Sequence, residues 1–244
     1  MQCKRADILF FNMIRSLFFL FLFSIPTYIL AQDTIPEISV DSLYREDQFY
    51  IGVSYNVFAF TPSGMNPEGI SAGFQLGFLR DIPINKRRNL AIAIGAGFSY
   101  DQYGQNLFIN EDEQGNTTYT ILDSNQDFKS NRFKLSVIEA PIELRWRSST
   151  PSEYKFWRVY AGFRLGYTIW NQSSFKDFEK TVRVSNITEF EKLRLGTSLS
   201  VGYNKFNLFA YYSINPFFDD NAKTEDGQNV NFHGIKLGLI FYIL

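Results

Sequence analysis

The sequence predicts an all-β protein, an eight-stranded antiparallel up-and-down barrel that crosses a membrane with its strands. Three observations carry this: long runs of alternating character, breaks that alternate between short and long, and an export signal followed by no second long apolar segment. The alternation is clearest over 132–170, two runs joined by the polar break Ser148, Ser149, Thr150, Pro151, Ser152 and Glu153. In the second run Trp157, Val159, Ala161, Phe163, Leu165, Tyr167 and Ile169 share one side. Arg158, Tyr160, Gly162, Arg164, Gly166 and Thr168 share the other. Successive strand residues point to opposite faces, so this strand has a greasy face and a cationic, glycine-rich face. Strands of soluble sandwiches average about five or six residues. A much longer run, greasy on one side and crowded on the other, is the pattern of a membrane-spanning barrel strand.

The chain begins with an expected secretory signal over 1–32: Lys4, Arg5 and Arg15, an apolar run 17–23, then Ile29, Leu30, Ala31 and Gln32. Pro26 follows the run, which is well short of the ~20 residues of a spanning helix. Met13, Ile14 and Arg15 would also make a compact start to such a signal. The single cysteine, Cys3, leaves with it, so the mature chain has no thiol chemistry. Without those residues 21 basic and 24 acidic residues remain, a balance that argues against nucleic acid as a partner. Phe and Tyr together number 40, heavy for a domain in water. Outer-membrane lipid and other envelope proteins are the expected partners.

A flexible periplasmic tail is expected over 33–47 and the barrel domain over 48–244. The first run, 48–60, sends Phe49, Ile51, Val53, Tyr55 and Val57 outward. The second, 69–80, sends out Ile70, Ala72, Phe74, Leu76 and Phe78, with Gly73, Gln75 and Gly77 inward. The third, 90–103, sets Ile92, Ile94, Ala96 and Phe98 against Ala91, Ala93, Gly95, Gly97 and Ser99; small inward residues suit a narrow barrel. In the fourth, 132–147, the apolar phase slips between Val137 and Ala140, and Pro141 beside the slip predicts a β-bulge. The fifth ends at Trp170; the sixth, seventh and eighth are 193–203, 206–215 and 232–244. Segments 104–131, 171–192 and 216–231 read as long polar loops, while 83–89, 148–153 and 204–205 are short turns. Short periplasmic turns and long external loops are the rule for outer-membrane barrels, and eight strands return the C-terminus to the periplasm. The three tryptophans, 146, 157 and 170, stand near strand ends, where an aromatic girdle sits. A soluble lipocalin-like barrel is the alternative, but there the polar face would be solvated, and here it is mostly Gly, Ala, Ser and Arg.

The stretch 137–147, Val-Ile-Glu-Ala-Pro-Ile-Glu-Leu-Arg-Trp-Arg, with Glu139 and Pro141, resembles the Glu-x-Pro strand motif of the small outer-membrane β-barrel proteins of the Bacteroidota. Members are usually labelled porin-family or PorT-like. The resemblance extends loosely over 48–244 through strand spacing and implies an outer-membrane barrel; some members look like accessory parts of type IX secretion and gliding machinery. Such membership transfers fold better than function. Asp33-Thr34-Ile35 and Asp41-Ser42-Leu43 look like that phylum's periplasmic O-glycosylation pattern.

Inward parity gathers Asp101, Glu143, Arg145, Arg158, Arg164, Arg194 and Lys236. Inside eight strands these charges must pair, because burying them alone is expensive. A salt-bridged plug of Glu143 with the fifth-strand arginines is expected; an arginine-lined anion path, making the protein a small porin, is the alternative. His233, the only histidine, stands at the rim near Asp219 and Asp220 in sequence. A lipid A-modifying barrel enzyme would use such a histidine with a serine, but nothing fixes the serine, and no catalytic, cofactor or metal site is expected. Glu111, Asp112, Glu113, Asp219, Asp220, Glu225 and Asp226 make the loop face acidic, and Phe108, Tyr119, Phe175, Phe178 and Phe190 interrupt it. These aromatics either fold back on the rim or form a protein-docking face.

Overall fold

The computed structural model describes residues 47–123, 126–148 and 156–243. The expected signal over 1–32, both glycosylation patterns and all of the tail but Asp47 lie outside them. Among the described residues the strands are β1 (Gln48–Ala59), β2 (Ala72–Pro83), β3 (Leu90–Gly104), β4 (Leu107–Glu111), β5 (Thr117–Ile121), β6 (Ser130–Arg147), β7 (Trp157–Lys176), β8 (Thr181–Ser185), β9 (Leu193–Tyr203), β10 (Phe206–Ser213) and β11 (His233–Ile243). Eight of them run β6-β3-β2-β1-β11-β10-β9-β7, and β6 also pairs with β7, so the sheet closes on itself. Every neighbouring pair is antiparallel. Phe49 pairs with Ile243, so both ends of the barrel chain sit at the short-turn end.

The wall is inside out relative to a soluble protein. Phe49, Ile51, Val53 and Tyr55 of β1 and Ile138, Ile142, Leu144 and Trp146 of β6 are exposed, as are Phe163, Leu165 and Tyr167 of β7. Between them Gln75, Asp101, Glu143, Arg145 and Lys236 are buried. Trp157 and Tyr167 are ten residues apart on the outer face of β7. At ~3.3 Å per residue and a tilt of ~40° they bracket a band ~25 Å tall, the height of a bilayer's apolar layer. Aromatic pairs rim the band. Trp157–Tyr203 and Phe49–Phe78 lie toward the short turns, with ring centroids 5.4 and 5.1 Å apart. Tyr100 and Trp170 stack across β6 toward the loops, 6.5 Å apart.

Beyond Trp170 the polarity inverts. Phe133, Leu135 and Val137 of β6 point inward and are buried, while Arg132 and Lys134 point out. Odd-numbered residues of β6 therefore face inward throughout, from Phe133 to Arg147. This corrects the phase slip expected beside Pro141. The apolar residues change sides at Val137 because the strand leaves the lipid there, and the strand keeps its phase. The ladder to β3 lapses at Ala140 and Pro141, where proline lacks its N–H, and resumes in the same register. The bulge lies elsewhere. Ser136 pairs with Trp170 but Val137 pairs with Thr168, leaving Ile169 of β7 as the extra residue. Below it Arg158 to Thr168 face inward at even positions; above it Asn171, Ser173 and Phe175 do so at odd ones.

Two expected loops contain strands. Segment 104–131 contains the β4–β5 hairpin over 107–121, and 171–192 carries the last six residues of β7 and its partner β8. The second run begins at Ala72 and continues three residues past Arg80, so Ile70 precedes the strand.

Candidate functional site

The lumen is built in layers, each cut to fit by small residues. Ala91 and Ala93 of β3 stand opposite Arg145 and Glu143 of β6, and Ala93 also pairs with Asp81 of β2. Over these two methyl groups Arg145 and Arg147 lean across β3 to Asp81. Arg145 Nη1 donates to Asp81 Oδ1 at 2.9 Å, Arg147 Nη1 to Asp81 Oδ2 at 2.5 Å, and Arg145 Nε to Glu143 Oε2 at 3.1 Å. Arg147 Nε also donates to the Arg88 carbonyl at 3.2 Å. The Arg145 guanidinium also lies 4.6 Å from the Tyr160 ring centroid and 5.5 Å from that of Tyr242, two rings that themselves pack at 5.3 Å, so aromatic faces add to its ion pairs. Arg158, at the short-turn mouth, lies over Phe156 at 4.1 Å and donates to the Asn204 carbonyl.

In the next layer Arg164 Nη1 donates to Glu139 Oε2 and Gln75 Oε1, each at 2.9 Å, and Nη2 lies 3.8 Å from Glu143 Oε1. Tyr50 and Phe209 flank it, 5.5 and 5.0 Å from the guanidinium. Tyr50 occupies the space left by Gly77 and Gly97: a Cβ on Gly97 would come within 2.0 Å of its hydroxyl. Above this Lys236 pairs with Asp101, which also accepts from Asn56 Nδ2 at 3.1 Å and Ser99 Oγ at 3.3 Å. Ser99 Oγ is also 2.9 Å from Glu139 Oε1, joining the two layers. Arg194 tops the stack, donating to Ser213 Oγ and to the Pro216 and Asn215 carbonyls at 2.6 and 3.1 Å, with Phe217 4.3 Å from its guanidinium.

Above Arg194 the lumen turns apolar. Tyr103, Phe133, Leu135, Val137, Phe190, Phe217, Phe218 and Phe232 are buried together, with Phe58 stacked on Tyr103 at 4.5 Å. The long loops that supply this cap are tied to one another. Ser63 N donates to Gln228 Oε1 at 2.8 Å, Thr120 Oγ1 to Glu225 Oε1 at 2.8 Å, and Tyr119 OH to Glu189 Oε2 at 3.2 Å. Burial first, and then the Glu189 charge, push the Tyr119 phenol well above its ordinary value. At the β4–β5 turn Asp112 accepts from Asn116 Nδ2 at 3.0 Å and from backbone N–H groups, which hold its carboxyl below the ordinary range.

The seven charges expected to face inward are all buried: Asp101, Glu143, Arg145, Arg158, Arg164, Arg194 and Lys236. The structure joins Glu143 to Arg164, as expected, and more closely to Arg145. Sequence reasoning missed Asp81 and Arg147 and left Glu139 as a motif residue, although it is the nearest carboxylate to Arg164. Parity could have found all three, since Asp81 continues the inward series Gly73, Gln75, Gly77, and 139 and 147 share the parity of 143. Pro141 faces inward between Glu139 and Glu143. Of the loop aromatics, Tyr119 and Phe190 are in the cap, Phe108 and Phe175 pack together at 4.7 Å, and Phe178 is exposed with Lys129 5.0 Å above its ring. His233 lies on the outer wall. Its Nδ1 is 2.9 Å from the Ser213 carbonyl, its ring stacks on Tyr212 at 5.8 Å, and Phe60 meets it edge-on at 5.5 Å. A tautomer held by a carbonyl and faced by two rings makes a girdle anchor. Among the described residues no His, Cys, Asp and Glu cluster is arranged to hold a metal ion.

A closed barrel of eight strands, greasy outside and ion-paired inside, is a membrane-spanning β-barrel of the outer-membrane class. Residues 30–219 match the family model described as outer membrane protein beta-barrel domain, and the chain belongs to that family. Its place is the outer membrane. No curated protein matches the chain. Among solved structures it is similar to Ail, the attachment invasion locus protein of Yersinia pestis, at 15% identity over 82% of this chain and 100% of that one, with a TM-score of 0.36. The complex of Ail with the heparin analogue sucrose octasulfate matches at 14% identity over 82% of this chain and 100% of that one, TM-score 0.34. The Ail backbone structure in phospholipid nanodiscs gives 15%, 81%, 100% and 0.30.

Proposed function

We propose that the protein is a non-enzymatic, non-conducting outer-membrane barrel whose working surface is its crown of loops, and that it serves as an accessory or adaptor of a larger envelope assembly. A PorT-like part of type IX secretion is the specific role the Glu-x-Pro strand at Glu139 and Pro141 suggests. In this reading a cleaved signal exports the chain, and the termini and short turns face the periplasm.

One observation carries it: the lumen is blocked twice, by ion-paired layers from Asp81 to Lys236 and by the aromatic cap above Arg194. A pore for solutes would have to break both. The crown, by contrast, is preorganised, with its loops hydrogen-bonded to one another and rooted in the cap. A surface already ordered loses little entropy on docking. Glu111, Glu113, Asp220, Glu225 and Asp226 are exposed on it, a distribution that favours a basic partner face.

The test is a native pull-down of a copy tagged at the mature N-terminus from detergent-solubilised outer membrane, with mass spectrometry of what accompanies it. Stoichiometric recovery of a large envelope machine, lost on reversing Asp220, Glu225 and Asp226 to lysine, is the expected result. Recovery of the barrel alone would overturn the adaptor reading.

A further inference from the structure

The outer face of the β6–β7–β8 sheet carries a patch of cations that neither the lumen nor the crown uses. Paired residues share a face, so the register lays this surface out in rows. Tyr100, Ser136 and Trp170 form the girdle row. The next row toward the loops is Gln102, Lys134, Gln172 and Ser185, and after it come Arg132, Ser174 and Arg183, then Ser130, Lys176 and Thr181. Lys134, Arg132, Arg183 and Lys176 therefore stand on adjacent rows, with strands about 4.8 Å apart and rows about 7 Å apart. Lys129 and Lys180 are exposed just beyond them, although Asp177 and Glu179 also occupy the β7–β8 turn. None of the four patch cations takes part in an ion pair with another described residue.

Position decides the ligand. Girdle aromatics sit at headgroup level, and the first cation is one row, about 7 Å along the strand, above Trp170. This is where the polarity of β6 and β7 inverts, so the patch faces the headgroup layer side-on. Taking the long-loop end as external, as proposed above, that layer belongs to the outer leaflet. We infer that Lys134, Arg132, Arg183 and Lys176 form a binding site for the phosphates of lipid A-type glycolipids packed against the barrel. Juxtamembrane cation clusters attract anionic headgroups, and guanidinium groups take phosphate oxygens in pairs. The acidic crown repels phosphate on the remaining perimeter, so the lipid is bound on one flank.

The refolded chain in neutral detergent micelles tests this, with thermal unfolding followed by Trp fluorescence as bis-phosphorylated lipid A, dephosphorylated lipid A or soluble heparin is added. A ligand of the native state raises the unfolding temperature by mass action. The expected result is a rise with the phosphorylated form, at least tenfold weaker apparent binding with the dephosphorylated form, and loss of the rise in 0.5 M salt. The variant R132E/K134E/R183E, checked for the gel mobility of a folded barrel, should no longer respond. Lys134→Gln with Arg183→Gln, milder substitutions, should weaken the response by several-fold. Equal shifts with both lipids, or an undiminished response in a folded variant, would overturn the site. A shift with heparin and none with lipid A would reassign it to soluble polyanions. External labelling of Ser185→Cys on whole cells checks the orientation separately, so a reversed barrel is told apart from an absent site.

Discussion

Asp81 holds two arginines at once, Arg145 through Oδ1 at 2.9 Å and Arg147 through Oδ2 at 2.5 Å, with all three side chains out of contact with solvent. Each partner is expensive to bury alone, so the group is stable only as a unit. Asp81→Asn removes the carboxylate that the two guanidinium groups share, leaving Arg145 with Glu143 alone, and should destabilise the barrel by about 3–5 kcal/mol. Urea unfolding in lipid vesicles checks the size. Replacing Asp81 together with Arg145 and Arg147 by apolar residues should recover part of the loss.

The lumen glycines make room for rings. A Cβ on Gly196 would lie 2.2 Å from the Tyr211 ring, and one on Gly234 would lie 2.8 Å from Phe217. Gly196→Val should push Tyr211 off its seat beneath Lys236 and cost about 1–3 kcal/mol through overpacking. The midpoint temperature of the shift from folded to unfolded gel mobility reads this, and it should fall.

Much of this fold was legible in the sequence because a lipid-facing wall forces alternation, and the alternating runs from Gln48 onward mark all eight barrel strands. The reading failed where the environment changes along one strand. Phe133, Leu135 and Val137 are apolar and face inward, while Ile138 and Ile142 are apolar and face lipid, so hydrophobicity alone appeared to change phase at Pro141. The real irregularity, Ile169, was hidden because the apolar Ile169 fits the outward series of β7. The lumen charges were found by parity, and Asp81 was lost only because the second run was ended at Arg80. The β4–β5 hairpin was missed because its strands are short and flanked by polar turns; its inward side chains, Leu107, Ile109 and Tyr119, are too few to show a period.

Tyr119 should resist ionisation. Its folded value lies above the unfolded 10.0, so it contributes stability that is whole below about pH 10 and declines as pH rises through the folded value. In a difference titration at the tyrosinate band, Tyr119→Phe and the parent should superimpose between about pH 9 and pH 11. An extra tyrosine ionising in the parent over that range would contradict the burial and the Glu189 contact. Losing the hydroxyl should cost about 1 kcal/mol and speed hydrogen exchange in the crown at neutral pH.

The cap and the ionic layers should each suffice to block the lumen. Phe217→Ala opens a hole in the aromatic cap and should cost about 3–5 kcal/mol, since a large buried ring is lost. It should conduct no more than the parent, because Arg194, Lys236 and Arg164 remain below. Arg164→Ala should likewise stay closed beneath the intact cap. Conductance is expected only when both are removed, a non-additivity that single-channel recordings of the three variants would display.

The most direct test of the central claim is planar-bilayer recording of the purified parent barrel in 1 M KCl. A doubly blocked lumen predicts a silent membrane at moderate voltage, with insertion verified by the folded gel mobility of the same sample. Reproducible ohmic steps from that preparation would contradict it and make the protein a small pore.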